Sequence, residues 1–200
     1  MRWKWELEYR VQAEEIVKYS RLLYERGLVS AAGGNVSCRC GSHILITASN
    51  TALRDVTVDN ILFCDREGRV VDGNANLRPS KEIGFHLGVY GARPEVDCVI
   101  HVHPCFSVTW SLRRKPLPLY TESAKLKLGL VPIIPDAKPG SAELAESVVR
   151  TVSGAAPEAN VFLMEAHGIL VTGKTMEECF NQAELLEDTA KIAVLKSMMQ

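Results

Sequence analysis

Val36-Ser37-Cys38-Arg39-Cys40-Gly41-Ser42-His43-Ile44-Leu45-Ile46-Thr47 reads as two strands folded back on each other. Val36 to Arg39 and His43 to Thr47 are the strands, and Cys40-Gly41-Ser42 supplies the turn. A second pair follows the same plan: Ile61-Leu62-Phe63-Cys64, the turn Asp65-Arg66-Glu67-Gly68, then Arg69-Val70-Val71. Connections this short join antiparallel neighbours, because parallel strands need a long crossover. The sheet is therefore expected to be largely antiparallel.

Helical patterns lie between and beyond these hairpins. Trp5 to Arg26 places Leu7, Val11, Leu22 and Leu23 on an apolar stripe, and Gly27 suits the residue just past its end. Ser80 has the chemistry of an N-cap for a helix running to about Gly91. Phe106 to Leu112 and a segment from Ser141 to near Gly154 read as further helices. A last helix starts at Thr175, which stands at capping-box spacing from Glu178. Its Met176, Cys179, Phe180, Ala183, Leu186 and Ala190 recur at helical spacing and read as core. Val96 to Val102 is nearly continuous in apolar character, as a buried strand is, and Val131–Ile134, Val161–Met164 and Ile169–Thr172 are further strands. Hairpins mixed with helices define an α/β fold around a mostly antiparallel sheet. No repeat, linker or low-complexity tract divides the chain, so residues 1–200 read as one domain.

The 200 residues are 46% hydrophobic and 24% charged, an ordinary globular balance that can bury a core without disulfides. Lys+Arg 23 against Asp+Glu 24 leaves a net charge of -1, which gives no basic footprint for DNA or RNA. The cluster Arg113-Arg114-Lys115 runs towards Pro116 and Pro118 and reads as a solvated helix end. Charges in Met1-Arg2-Trp3-Lys4-Trp5-Glu6 stand where a signal peptide needs an apolar run. No apolar run approaches the roughly 20 residues of a membrane span. The expectation is a cytoplasmic protein whose six cysteines are reduced thiols. The dinucleotide fingerprint GxGxxG does not occur.

The chemistry concentrates at Val99-Ile100-His101-Val102-His103-Pro104. Residues two apart on a strand share a side, so His101 and His103 can present two imidazoles to one point. Pro104 ends the strand and places the pair at its mouth. Such a pair suits Zn²⁺ at about 2.0–2.1 Å. His167, in Glu165-Ala166-His167-Gly168, is a third donor, and Gly168 leaves its side unobstructed. Glu82 is a fourth, although a carboxylate near a helix start is also favoured by the helix dipole. His86, one helical turn later, reads as packing or as support for the site. Cys98 falls on the opposite side of the strand from His101, and Cys105, after a proline, is expected to turn away. Cys38 and Cys40 lie near His43, but no second cysteine pair completes a zinc-ribbon spacing. An anion seat can form from Gly33-Gly34-Asn35-Val36-Ser37, from Thr47 and Ser49, and from Ser80 and Lys81, combining backbone N–H groups, hydroxyls and one cation.

Gly33-Gly34-Asn35-Val36-Ser37, Ile46-Thr47-Ala48-Ser49, Pro79-Ser80-Lys81-Glu82, His101-Val102-His103-Pro104 and His167-Gly168 together resemble the class II aldolase/adducin family. Their order and separations match it from about Val17 to Leu195. The resemblance implies a central, mostly antiparallel sheet with helices on both sides. It implies one Zn²⁺ per subunit, or another divalent metal such as Mn²⁺ or Co²⁺, on Glu82, His101, His103 and His167. Glu82 would be both ligand and acid/base, and Asn35, Ser49 and Ser80 would hold the phosphate of a phosphorylated keto-sugar, with Gly34, Ser37, Thr47 and Lys81 added by the anion-seat reading. The reaction implied is cleavage or formation of a C–C bond through a metal-stabilised enediolate. Decarboxylation of a 3-oxo sugar-acid phosphate, dehydration of a thio-sugar phosphate and epimerisation by reversible cleavage draw on similar chemistry. A non-catalytic, adducin-like module is the contrasting reading.

The family's aldolases assemble as homotetramers with active sites at subunit interfaces, where a neighbouring tyrosine donates a proton. Tyr120 is the residue near that position, one place off. Three further departures bear on the substrate. Ser49-Asn50 replaces Thr-Gly, Lys81 replaces a second serine, and the sequence stops at Gln200, before the tail that carries another functional tyrosine in longer aldolases.

Overall fold

The computed structural model describes residues 4–199. Met1–Trp3, where the charged amino-terminal stretch begins, and Gln200 lie outside the described residues, as does the side chain of Leu7. The described strands are β1 (Asn35–Cys40), β2 (His43–Thr47), β3 (Ile61–Cys64), β4 (Val70–Asp72), β5 (Cys98–Val102), β6 (Ile133–Ile134), β7 (Val161–Met164) and β8 (Gly168–Gly173). They form one sheet in the order β4-β3-β2-β1-β5-β8-β7-β6. Each neighbouring pair is antiparallel except β6 with β7. The helices are α1 (Arg10–Glu25), α2 (Ile83–Ala92), α3 (Cys105–Ser111), α4 (Glu122–Lys127), α5 (Ala142–Gly154) and α6 (Met176–Met198).

Both faces of the sheet are buried except at the exposed edge strand β4, and side chains alternate between the two faces. In β7, Val161 and Leu163 enter the core shared with α1, α3, α4 and α6, whereas Phe162 and Met164 enter the core shared with α2 and α5. All five residues of β5 are buried, which explains why that strand reads as a continuous apolar run. β5 pairs Asn35 with His101 on one side and Leu170 with His101 on the other. His101 thus lies between β1 and β8, on the α2/α5 face, where its ring meets Phe85 edge-on at 5.4 Å.

The first hairpin turns on Gly41-Ser42 alone, since Cys40 pairs with His43. Gly41 has φ 58°, the left-handed value that two-residue hairpins favour, so Cys40 belongs to the strand. The amino-terminal helix is split into a 3-10 turn at Lys4–Leu7 and α1 from Arg10. Val11 is 67% exposed, because Ala13, Ile16, Tyr19 and Leu23 set the buried phase of α1.

Ser80 does not cap a helix. Pro79 bridges Ala48, and the Ser80 N–H donates to the Thr47 carbonyl, so this segment extends alongside β2. The helix starts only after Glu82, whose N–H donates to Ser80 Oγ at 3.3 Å. Ser141 and Thr175 do cap α5 and α6, accepting from the N–H groups of Leu144 and Glu178. The Glu178 carboxylate reaches Lys174 N–H, one residue beyond the box position.

Sequence periodicity does not reveal α4, a six-residue helix fixed by Thr121. α3 is fastened by Glu187 of α6, whose carboxylate receives the Phe106 and Ser107 N–H groups and the Ser107 hydroxyl. Arg113, Arg114 and Lys115 are exposed beyond its end, and Arg114 pairs with Glu165. Among the described residues no helix is long and apolar enough to cross a membrane.

Candidate metal centre

β5 ends at Val102, and β8 begins at Gly168. Three histidines meet where these strand ends adjoin: the ligand nitrogens of His101, His103 and His167 all lie within 4.8 Å of one another. Glycine permits this convergence. A Cβ on Gly168 would lie 2.4 Å from the Val102 carbonyl oxygen and 2.7 Å from His103 Cδ2. One on Gly33 would lie 2.7 Å from His103 Nδ1, and one on Gly34 2.9 Å from the His101 carbonyl oxygen. The paired glycines before β1 thus give the histidines room, and both line the cavity above them.

Glu82 closes the cluster from the start of α2. Its Oε2 is 3.2 Å from His101 Nε2, and its Oε1 is 3.4 Å from His167 Nε2. His101 Nε2 lies 2.9 Å from His103 Nε2. His101 Nδ1 is 2.9 Å from the Ile169 carbonyl, which can only accept, so that nitrogen carries the proton. The other ring nitrogen, Nε2, therefore faces a carboxylate and a second imidazole. Glu82 Oε1 and His167 Nδ1 are buried and make no hydrogen bond.

Burial disfavours the charged form of His103 and His167, as ligation requires. It pushes His103 down to about 3, with His101 and His167 adding to the effect. His167 falls to about 4 for the same reasons, burial first and His101 next. For Glu82 burial acts upwards, but the hydrogen bond and charge of His101, the Asn35 amide and His167 outweigh it and hold the carboxyl at about 2. Convergent lone pairs, a carboxylate, unpartnered buried atoms and the donor types together fit a divalent cation.

The centre opens into a cavity of about 670 Å³. Gly34, Asn35, Ser49, Ser80 and Lys81 line it, as the anion-seat reading requires. Ser49 and Ser80 come together because the Arg78–Ser80 segment runs beside β2, with Ser49 N–H donating to the Arg78 carbonyl. Asn50 also lines the cavity and has φ 59°, a left-handed backbone that asparagine tolerates better than most residues. Replacing glycine by Asn50 is therefore compatible with the turn.

Three expected anion ligands have side chains engaged elsewhere. Ser37 is fully buried, with its hydroxyl on His86 and Tyr90, because it sits on the interior face of β1. Thr47 is also buried, and its hydroxyl accepts the Val36 N–H. The Asn35 side chain is spent on Glu82 and His86. Tyr120 lies outside its own cavity, 48% exposed, with Lys196 Nζ over its ring at 5.2 Å. Cys105 does not turn away: it opens α3, is exposed and lines the cavity. Cys38 and Cys98 face each other in the core at 3.6 Å, while His43 stacks on Phe63, so no cysteine–histidine cluster forms there. Thr109 and Gly140 also line the cavity, with nothing in their local sequence to mark them.

The cavity over the three imidazoles and the Glu82 carboxylate is open, as catalytic metal sites are and closed structural ones are not. Residues 14–194 match the family described as Class II Aldolase and Adducin N-terminal domain. The chain belongs to that family and is an aldolase-type lyase. It is 31% identical over 179 residues to the L-fuculose phosphate aldolase of Methanococcus vannielii, covering 90% of this chain and 93% of that one. It is 30% identical to the 3-oxo-tetronate 4-phosphate decarboxylase of Haemophilus influenzae, covering 90% and 86%. A solved L-fuculose 1-phosphate aldolase superposes with a TM-score of 0.85 at 28% identity, over 94% of this chain and 86% of that one.

Proposed function

We propose that the chain cleaves or forms a C–C bond in a phosphorylated keto-sugar, with His101, His103, His167 and Glu82 holding one Zn²⁺ per subunit. Mn²⁺ and Co²⁺ are the alternative ions. The observation that carries this reading is the convergence of Glu82 and the three histidines beneath a cavity rimmed by Ser49, Ser80 and Lys81. A divalent ion there supplies Lewis-acid stabilisation of negative charge developing on a substrate oxygen. Glu82 takes and returns the proton at the adjacent carbon. Gly34 N–H, the Ser49 and Ser80 hydroxyls and Lys81 hold the phosphate.

The reading extends to a cytoplasmic homotetramer with active sites at subunit interfaces. Tyr120, exposed and away from its own cavity, then serves as proton donor to a neighbouring subunit. Exposed Leu112, Leu126, Leu130 and Leu195 supply apolar surface for such an assembly.

Lys81 on the cavity rim favours one second reading, in which the extra cation holds a substrate carboxylate before decarboxylation. The relative from Haemophilus influenzae supports it. Aldehyde release from L-fuculose 1-phosphate and CO₂ release from 3-oxo-tetronate 4-phosphate separate the two. Metal analysis of the wild type and His101→Ala tests both, since each requires bound metal that the variant loses.

A further inference from the structure

Behind Glu82 runs a chain of buried polar side chains that the proposed chemistry leaves unused. Asn35 Nδ2 donates to Glu82 Oε2 at 2.8 Å, and Asn35 Oδ1 meets His86 Nε2 at 2.5 Å. His86 Nδ1 meets Ser37 Oγ at 2.7 Å, and Ser37 Oγ meets the Tyr90 hydroxyl at 2.7 Å. Asn35, Ser37, His86 and Tyr90 are each no more than 5% exposed, so bulk water cannot replace a lost partner. Two elements supply all five groups. Asn35 and Ser37 stand two apart on β1, on one side of the sheet. Glu82, His86 and Tyr90 stand four apart at the start of and along α2, on one face of the helix.

Donor and acceptor inventory gives the chain a single direction. A carboxylate facing a metal only accepts, so Asn35 turns its Nδ2 to Glu82. Asn35 Oδ1 then needs the Nε2 proton of His86. The neutral ring has one proton, so Nδ1 accepts from the Ser37 hydroxyl. Ser37 Oγ in turn accepts from Tyr90. Each group is satisfied in this polarity.

We infer that His86, held by Ser37 and Tyr90, is a positioning residue that fixes the Asn35 amide and, through it, the Glu82 carboxylate facing the three histidines. The inference rests on the proposed placement of Glu82 at the metal. Without the His86 N–H, Asn35 Oδ1 loses its buried partner, and the amide is free to turn its oxygen towards a carboxylate. Partners of this outer kind change metal affinity or activity by about 10–100-fold.

The test compares wild type with Glu82→Gln, His86→Phe, His86→Gln and Tyr90→Phe. Zn²⁺ affinity is measured by chelator competition, the Co²⁺ d–d absorption spectrum is recorded, and the melting temperature is followed alongside. His86→Phe is expected to weaken Zn²⁺ by about tenfold or more and to shift the Co²⁺ spectrum. His86→Gln keeps an N–H for Asn35 and recovers most of both. Tyr90→Phe moves both in the same direction by less. A His86→Phe protein with wild-type affinity and spectrum overturns the inference, even if its melting temperature falls. Failure of His86→Gln to recover the spectrum assigns the loss to disturbed packing and overturns it too. If His86→Phe does not fold, wild-type spectra and affinities in both Tyr90→Phe and His86→Gln overturn it. Glu82→Gln separates the two levels. An unmoved Co²⁺ spectrum there removes Glu82 from the metal, whereas a moved one beside an unmoved His86→Phe removes only the positioning role.

Discussion

His101 Nε2 and Glu82 Oε2 stand 3.2 Å apart, the imidazole nitrogen facing the carboxylate. The Ile169 carbonyl enforces this by claiming the Nδ1 proton of His101. A proton or a metal ion must lie between the two groups for both to remain buried. Replacing Glu82 by Gln keeps the volume and leaves the three imidazoles in place, but removes the group that takes up a proton. Glu82→Gln is expected to retain bound metal while kcat for aldehyde release falls by about 10²–10⁴-fold. Metal analysis beside steady-state kinetics checks it, and undiminished turnover excludes Glu82 as the acid/base.

Gly168 supplies a steric test of the same centre. Its Cβ would meet the Val102 carbonyl, His103 and His101 at 2.4, 2.7 and 3.2 Å, and carbonyl oxygen and imidazole cannot both retreat without moving the end of β5. Gly168→Ala is expected to cost about 1–3 kcal/mol of stability and to lower metal content. Gly154→Ala is the control, because nothing lies within 4 Å of its Cβ. Urea unfolding and metal analysis of the two variants check the contrast, and a fully loaded, fully stable Gly168→Ala protein refutes it.

Much of this centre is legible in the linear sequence. His101 and His103 share a strand side by spacing alone, and the apolar run around them places that strand inside the sheet. The hairpins announce the antiparallel order, since local turns fix local pairing. What stays hidden depends on distant contacts. Ser80 looks like an N-cap, yet its backbone pairs with Thr47, and the helix waits until Glu82. Val11 looks like part of a stripe, but the packing of Ile16 and Leu23 sets the phase of α1. Ser37 and Thr47 look like anion ligands, because sequence cannot tell a hydroxyl facing a cavity from one facing the core. The four-residue spacing of Glu82, His86 and Tyr90 is a readable signal, and only the β1 partners give it meaning.

Acid should unfold the metal-free protein in a defined direction. Burial holds His86 at about 3 against an ordinary 6.5. Below pH 6.5 the unfolded chain binds a proton that the folded chain refuses, so stability falls as pH drops towards 3. Glu82 adds the same sign lower down: its contribution is present above 4.5 and lost as pH falls through about 2. For His86 the full effect is on the order of 5 kcal/mol. Melting temperatures between pH 7.5 and 4 are expected to decline, and His86→Gln is expected to flatten the slope above pH 4.5. A wild-type melting temperature that is constant down to pH 5 contradicts this.

Arg93 carries the last prediction, on the fold that holds α2 in place. It is 5% exposed at the end of α2, yet its guanidinium donates to four carbonyls, one in the last turn of α5 and three in the loop beyond it. Nη1 reaches Ala159 and Pro157 at 2.8 and 3.2 Å, and Nη2 reaches Val152 and Ala156 at 2.9 and 3.1 Å. The last carbonyls of a helix have no partner within it, so one planar fork satisfies Val152 and ties the end of α5 to the loop that follows. Arg93→Met keeps the apolar stem but removes all four donated hydrogen bonds, leaving only Ala156 with a backbone partner, and is expected to cost about 3 kcal/mol or more. Arg93→Lys keeps the charge, but a single ammonium cannot span four oxygens, so it is expected to recover less than half of that loss. Urea denaturation of both variants decides the matter. A lysine variant as stable as the wild type would show that charge, and not the fork, secures α2 to α5.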